Sequence, residues 1–324
     1  MKSKKLVAGI DKPISELVLG TAWYSLKEKN QWFDLMDDFV GYGGTTIDTA
    51  RCYGESEEVI EQWMERRLNR DRIVIITKGG LSEEDGTRLA VEGIAAKIKK
   101  DITASLQYLQ TDYIDLYFLH RDTASIPVSE IVDSLNAELE RGRIHAFGGS
   151  NWELRRVDEA NEYAYKYGMT GFAVVSNNLS LAVPTGPFYA GLVSTDKMDR
   201  EWYLKTGMPL FAWSSQARGF FTGRFSPDMR NDAEATQDEF TKNMVRVYCT
   251  GDNFERMRRA KELGEKKGGY TAVQVALAWV IHQTFTVLPL VGPLTKEEMK
   301  SCLDALSIQL TASEIRWLNL ETLG

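Results

Sequence analysis

The sequence predicts an eight-stranded β/α barrel. Short β-branched or apolar runs recur eight times along the 324 residues, and a longer segment with helical periodicity follows each. No linker, half-and-half division or composition break interrupts the alternation, which favours a closed barrel over a large open sheet.

The elements follow in order. Ahead of the first strand, Leu6–Ile10 and Ile14–Val18 flank Asp11-Lys12-Pro13, a turn sequence that predicts a hairpin capping the barrel bottom. Strands are expected at Glu16–Gly20, Thr45–Asp48, Ile73–Thr77, Tyr113–Leu119, Ile144–Gly148, Phe172–Ser176, Pro209–Trp213 and Thr286–Leu290. Most are continuously apolar, as parallel strands covered on both faces require. Between them, Glu55–Leu68 and Ile94–Leu109 carry apolar stripes at helical spacing. Ser129–Arg141 starts on a residue suited to an N-cap and stops near Gly142, and Glu153–Tyr167 stops at Gly168. Phe254–Lys267 ends at Gly268-Gly269, Ala272–His282 is apolar nearly all round, and Lys296–Ala305 and Ser313–Leu320 close the chain. Phe220 to Asn253 is weakly periodic and bears Pro, Asp and Asn, so it reads as a long surface loop of the kind that serves as a lid. The prediction is an α/β fold: one (β/α)8 TIM-barrel domain over residues 1–324, with an N-terminal hairpin and a long loop after the seventh strand.

Composition excludes several classes. An apolar share of 43% and a charged share of 26% are those of an ordinary globular protein. No apolar run approaches the roughly 18 residues that span a bilayer. Leu6–Ile10 is too short for a signal-peptide core, so the expected location is cytoplasmic, without a membrane partner. Cys52, Cys249 and Cys302 form no CxxC pair, and His120, His145 and His282 form no HxH or HExxH pattern, so no metal is expected. A net charge of −7 argues against a nucleic-acid partner but permits a local basic pocket for an anionic cofactor.

Barrel chemistry sits where the strands end. Trp23 follows the first strand, Asp48 ends the second, Lys78 follows the third and His120 the fourth, with Tyr53 on the loop after the second. Singly, each has a bland reading: a rim charge, a satisfied histidine, a packing aromatic. Together, on consecutive strands, they suggest acid–base work. A free phenol titrates near ~10, too high for an efficient proton donor near neutrality. A neighbouring Lys78 ammonium lowers that value, Asp48 holds Lys78 charged, and His120 orients a carbonyl oxygen. The hydride must come from a cofactor, because no side chain supplies one. Gly41 to Gly44 precedes a strand rather than following one, so a Rossmann site is unsupported. Ser150 and Asn151 suit a carboxamide, and Trp213 suits a nicotinamide face. In the alternative, Asn151 caps a helix beginning at Trp152.

Four segments, in order and one per strand, resemble the aldo-keto reductase superfamily: Ile47-Asp-Thr-Ala-Arg-Cys-Tyr-Gly-Glu-Ser-Glu57, Ile76-Thr-Lys78, Asp112-Tyr-Ile-Asp-Leu-Tyr-Phe-Leu-His120 and Gly148-Gly-Ser-Asn151. The resemblance runs from about Ser15 to Leu320 and is closer to bacterial aryl-alcohol-dehydrogenase-like reductases than to mammalian aldose reductases. It implies reduction of a sugar or other small aldehyde or ketone, with Tyr53 as general acid and Asp48, Lys78 and His120 completing the set. It implies an extended NAD(P)H across the mouth, touching Thr21, Ala22, Trp23 and Asp48. Ser150, Asn151 and Trp213 would surround the nicotinamide, with Ser214, Ser215, Gln216, Arg218, Gly219 and Phe220 beside the pyrophosphate and Gly292 to Cys302 at the adenosine.

Two departures stand out. Ser176 occupies a position usually held by Gln, with Asn178 as the alternative amide. Leu294, Glu298 and Cys302 stand where the NADP-binding version carries Ser or Arg, a further Arg, and Asn. A carboxylate there repels a 2′-phosphate and accepts from a 2′-hydroxyl, unless Lys296 offsets it. Family frequency favours NADP(H), with NAD(H) the alternative. Trp23, Tyr24, Arg51, Arg121, Trp152 and the long loop are expected to line the substrate pocket, for a sugar, a polar aldehyde or an anionic carbonyl compound. The competing readings are a cofactor-binding redox sensor or regulatory subunit with little turnover, and a lyase or isomerase using Lys78 as a Schiff base.

Overall fold

The computed structural model describes residues 1–84, 86–91, 93–231 and 238–322. Two short strands, β1 (Ser3–Lys4) and β2 (Ile14–Ser15), pair antiparallel as the N-terminal hairpin. Its outer arm is therefore Ser3–Lys4 rather than the expected Leu6–Ile10. That segment instead runs irregularly across the barrel floor and buries Val7 and Ile10 against the barrel interior.

The barrel strands are β3 (Val18–Gly20), β4 (Thr46–Asp48), β5 (Val74–Gly79), β6 (Ile114–Leu119), β7 (Ile144–Ser150), β8 (Val174–Ser176), β9 (Leu210–Ala212) and β10 (Val287–Val291). Each pairs in parallel with its neighbours in chain order, and β10 closes on β3. All eight fall within or overlap the expected runs. Inside the ring, Val18, Val74, Ile76, Leu116, Phe118, Ala146, Val174, Phe211 and Leu288 form one buried cluster with Val7, Ile10 and Ile14, so the barrel is filled rather than hollow.

The surrounding helices are α1 (Lys29–Gly41), α2 (Ser56–Arg67), α3 (Ile94–Leu109), α4 (Val128–Glu140), α5 (Leu154–Lys166), α6 (Lys197–Thr206), α7 (Glu239–Tyr248), α8 (Gly251–Lys266), α9 (Ala272–Ile281), α10 (Lys296–Asp304) and α11 (Ala312–Leu318). Side-chain caps fix several starts: Thr271 and Gln274 form a reciprocal capping box on α9, and Asp196 with Asp199 does the same on α6. Ser129 lies inside α4 instead of capping it, since that helix begins at Val128 behind Pro127.

The long loop expected from Phe220 to Asn253 is largely helical. A short 3₁₀ turn at Pro227–Asn231 is followed by α7, which Asp238 caps and which buries Met244, Val245, Val247 and Tyr248. Residues 232–237 of that expected loop lie outside the described residues.

Candidate active site

β4 ends on Asp48, β5 carries Lys78 near its end, and His120 stands one residue beyond β6. Pairing sets Asp48 beside Ile76 and Lys78 beside Phe118, which brings the three polar ends to one rim of the barrel. Lys78 Nζ donates to Asp48 Oδ2 at 2.6 Å and to the Thr49 carbonyl at 2.8 Å. The same ammonium lies 5.1 Å from the centroid of the Tyr53 ring. His120 meets Tyr53 edge-on, with ring centroids 5.7 Å apart. Tyr53 sits in a tight turn, its N–H donating to the Ala50 carbonyl, and Gly54 at φ 57° redirects the chain into α2. Behind this turn, Ser56 Oγ lies 2.6 Å from Thr21 Oγ1 and 2.8 Å from Thr49 Oγ1, tying the loop to the rim.

Asp48 and Lys78 are each 3% exposed and His120 is 6% exposed, so electrostatics here act with little solvent screening. Burial opposes the Lys78 charge, but Asp48 and Tyr53 outweigh it and hold the ammonium above its ordinary value. Burial pushes the Asp48 carboxyl up against the pull of Lys78. For Tyr53, Lys78 pulls the phenol down as expected, yet burial outweighs it and the phenol stays above its ordinary value. The expectation of a net-acidified phenol is therefore corrected: the hydroxyl is held protonated and the cation is poised to stabilise its conjugate base. Burial, with the charges of Lys78 and Arg121, pushes His120 well below its usual value, so the imidazole is neutral. A charged, doubly hydrogen-bonded Lys78 is no amine nucleophile, which removes the basis of the Schiff-base reading.

A cavity of about 1650 Å³ opens over this set and runs along the mouth to the start of α10. The residues expected at a cofactor line it, except Ser176 and Phe220. Ser176 is fully buried with an unpartnered hydroxyl; its carbonyl instead accepts from Trp213 Nε1 at 3.2 Å and from the Asn151 N–H at 3.0 Å, which holds the Trp213 ring at the cavity wall. Phe220 is core, packed on Phe221 and Phe254. Asn151 does not cap a helix, because α5 starts at Leu154. Its amide braces the rim, donating to the His120 carbonyl at 3.2 Å and to Ser150 Oγ at 3.0 Å while accepting from the Val193 N–H. Ser150, an acceptor in that bond, keeps its own proton free. Asn178 donates to the Trp213 carbonyl and leaves its Oδ1 unpartnered.

Of the expected substrate residues, Trp23 (71% exposed) and Arg121 line the cavity. Three do not. Tyr24 is stacked on Trp32 at 4.6 Å in the core. Arg51 pairs with Glu57 and lies over the Tyr108 ring. Trp152 is buried behind β7 against Phe172, its Nε1 donating to the Arg121 carbonyl at 2.8 Å. The expected long loop does reach the cavity, through Phe221, Arg224 and Phe240; sequence reasoning missed Tyr189 and Leu192, which line it from the irregular segment after β8. It also missed Cys52, whose Sγ lies 3.5 Å from His120 Nδ1; its adjacency to Tyr53 was the available signal.

At the far end, Glu298 Oε2 accepts the Leu294 N–H at 2.7 Å, and buried Cys302 contacts Gln216. Lys296 does not offset Glu298: it turns toward Asp34 and Asp38 on α1.

An acid–base set at the floor of an open cavity, on the C-terminal ends of parallel strands, defines a barrel enzyme with proton-transfer chemistry at its mouth. The chain belongs to the aldo/keto reductase family, whose family model matches residues 16–319. It is 30% identical to norsolorinic acid reductase stcV of Emericella nidulans over 330 residues, covering 93% of this chain and 76% of that protein. It is 25% identical to an aryl-alcohol dehydrogenase [NADP(+)] of Phanerodontia chrysosporium, covering 94% of this chain and 80% of that one. Among solved structures, a thermostable aldo-keto reductase, Tm1743, in complex with the inhibitor epalrestat superposes with a TM-score of 0.69 at 20% identity. The match covers 99% of this chain and 100% of that one, and it bears on the fold alone.

Proposed function

We propose that this chain reduces an aldehyde or ketone to the alcohol with an NAD(P)H cofactor, and that Tyr53 is the proton donor. The observation that carries the reading is the buried Asp48–Lys78 pair at 2.6 Å, with the same ammonium 5.1 Å from the Tyr53 ring. Names among the relatives, a norsolorinic acid reductase and an aryl-alcohol dehydrogenase, support an aryl-alcohol-dehydrogenase-like member of the family.

The residues present fit a dinucleotide. The cavity is long enough to reach from Tyr53 to Glu298, the Trp213 ring is fixed at its wall, and Ser150 offers a free hydroxyl proton. When bound, the nicotinamide supplies a hydride to the carbonyl carbon. Tyr53 Oη gives its proton to the carbonyl oxygen, and the phenolate left behind is stabilised by the Lys78 ammonium. Asp48 keeps that ammonium charged and aimed. Neutral His120 hydrogen-bonds the carbonyl oxygen and fixes its approach.

Tyr53→Phe is expected to lower kcat by about 10²–10⁴-fold while leaving the cofactor Kd within twofold. The assay is loss of reduced-nicotinamide absorbance over a panel of aldehydes, sugars and ketones; most activity surviving in the variant would overturn the assignment.

At the adenosine end the reading shifts toward NAD(H), because Glu298 lines the cavity and Lys296 is turned away. Glu298→Arg is expected to move the NADPH-to-NADH affinity ratio at least tenfold toward NADPH in a fluorescence titration. An unchanged ratio counts against a role for that carboxylate.

A further inference from the structure

Among the described residues, three guanidinium groups in the cavity lack a carboxylate partner; Arg224 is exposed, while Arg121 and Arg218 are half-buried. Arg121 directly follows His120; its Nη1 donates to the His120 carbonyl at 2.7 Å, and its buried Nε has no acceptor. Arg218, in the turn after β9, has ring faces for neighbours: Phe188 at 4.3 Å, Trp213 at 5.7 Å and Tyr189 at 6.0 Å. Its buried Nε likewise has no acceptor. The two side chains approach one short stretch of chain from different strands. Arg218 covers Phe188 and Tyr189, and the Arg121 Cδ would lie 3.3 Å from a Cβ on Gly191. Both line the same cavity as Tyr53.

Several other sheltered arginines carry a carboxylate: Arg51 has Glu57, Arg70 has Asp115, Arg156 has Asp122 and Arg259 has Glu255. Arg200 and Arg256 have none among the described residues, but they lie outside the cavity, over Trp279 and against Asn253. A desolvated cation without a counter-charge is costly, and such a cost persists at a site where an anion is to be bound. Among the described residues, Asp48, Glu265 and Glu298 are the acids that line the cavity. Asp48 is engaged by Lys78, and Glu298 lies at the far end with Cys302.

We propose that Arg121 and Arg218 form an anion-binding subsite beside Tyr53, so that the substrate is a carbonyl compound bearing a carboxylate or phosphate group. This rests on the carbonyl-reductase reading. It assigns Arg218 to the substrate rather than to the cofactor pyrophosphate, because its ring partners Phe188 and Tyr189 belong to the segment that also meets Arg121. A planar fork of donors with no acceptor suits bidentate capture of either oxyanion.

The test uses the full chain and matched pairs: 4-carboxybenzaldehyde against its methyl ester, succinic semialdehyde against butanal, and glyceraldehyde 3-phosphate against glyceraldehyde. The anionic member of at least one pair is expected to show a kcat/KM at least tenfold higher, and the winning pair separates carboxylate from phosphate. Arg121→Met and Arg218→Met should each bring that ratio toward one through KM, while Arg218→Lys restores part of it. A wild-type ratio near one in every pair overturns the subsite, and that measurement needs no variant. An unchanged ratio in Arg218→Met with a tenfold weaker cofactor returns Arg218 to the pyrophosphate and also overturns it. No turnover of any of these aldehydes with either cofactor sinks the reductase reading itself, which is a different result from turnover without anion preference.

Discussion

Two buried ion clusters sit at opposite ends of neighbouring strands, and they differ in what is left over. At the bottom, Asp115 near the start of β6 accepts from Lys12 Nζ at 2.8 Å, Arg70 Nη1 at 2.8 Å and the Ile75 N–H at 2.9 Å. Lys12 also donates to the Arg70 and Ile73 carbonyls, and Arg70 lies over the Tyr113 ring. Every strong valence there is closed. At the top, Asp48 and Lys78 pair one to one, and their open side is a cavity shared with a phenol and a neutral imidazole. The bottom cluster thus reads as a staple, and the top one as a charge kept ready for chemistry.

Lys78→Met and Asp115→Asn divide the two roles, with the largest effects expected. Lys78→Met should lower kcat by about 10²–10⁴-fold, the range of a lost acid–base function. Its stability loss should be the smaller of the two, since burial already pushes Asp48 up and the orphaned carboxyl can take a proton. Asp115→Asn leaves two cations around one neutral amide and should cost about 3–5 kcal/mol of stability. Its kcat should be unchanged. Denaturant melts and steady-state rates on both variants check this; an Asp115→Asn enzyme with impaired kcat would break the comparison.

The histidines at the two ends sharpen it further. His120 is held well below the ordinary histidine value of about 6.5 by burial and by Lys78 and Arg121. Its unfolded counterpart takes up a proton near pH 6.5 while the folded imidazole does not. The stability this represents is complete above pH 6.5 and is lost as pH falls below it, by about 1.4 kcal/mol per unit until the folded group titrates. His145 at the bottom, stacked on Tyr113 and half-buried, is also lowered by burial, in the same sense. Unfolding free energies between pH 5 and 8 should flatten more in His120→Asn than in His145→Asn. Equal flattening would mean the mouth is no drier than the floor.

The same contrast marks what the sequence made legible. Apolar or β-branched runs exposed all eight strands, most of them continuous, because a strand covered on both faces has no polar side to confuse its pattern. Residues at strand ends were then placed by topology, and Asp48, Lys78 and His120 arrived where expected. Beyond a strand end the backbone turn decides, and composition does not encode it. Asn151 at φ 60° sends Trp152 behind β7, where Gly149 leaves room for the indole: a Cβ there would stand 2.6 Å from the ring. Helix α1 was missed although it buries Trp32, Phe33, Leu35, Met36 and Phe39, since Glu28 gives it no side-chain cap to announce its start. Helix α7 was hidden within a polar stretch, and its buried face became visible only with the partners that cover it.

The smallest expected effect concerns Cys52 and asks how far the mouth's polar set extends. Desolvation of the sulfur outweighs the pull of nearby cations and pushes the Cys52 thiol up, although the residue as a whole is exposed, so the sulfur carries its proton. Sγ lies 3.5 Å from Nδ1 of the neutral His120, and a His120 that donates to the carbonyl oxygen through Nε2 requires the thiol to be the donor in this contact. Cys52→Val keeps the size and removes the donor. A hydrogen bond of roughly 0.5–1.5 kcal/mol translates into a kcat/KM loss of about 2- to 13-fold. Because packing alone can produce so small a change, the deciding readout is the ¹⁵N signature of His120, assignable among only three histidines. The wild type should show the Nε2–H tautomer, Cys52→Ser should keep it, and Cys52→Val should show a mixture. An identical tautomer in all three would confine the working set to Asp48, Tyr53, Lys78 and His120, and leave the thiol as wall.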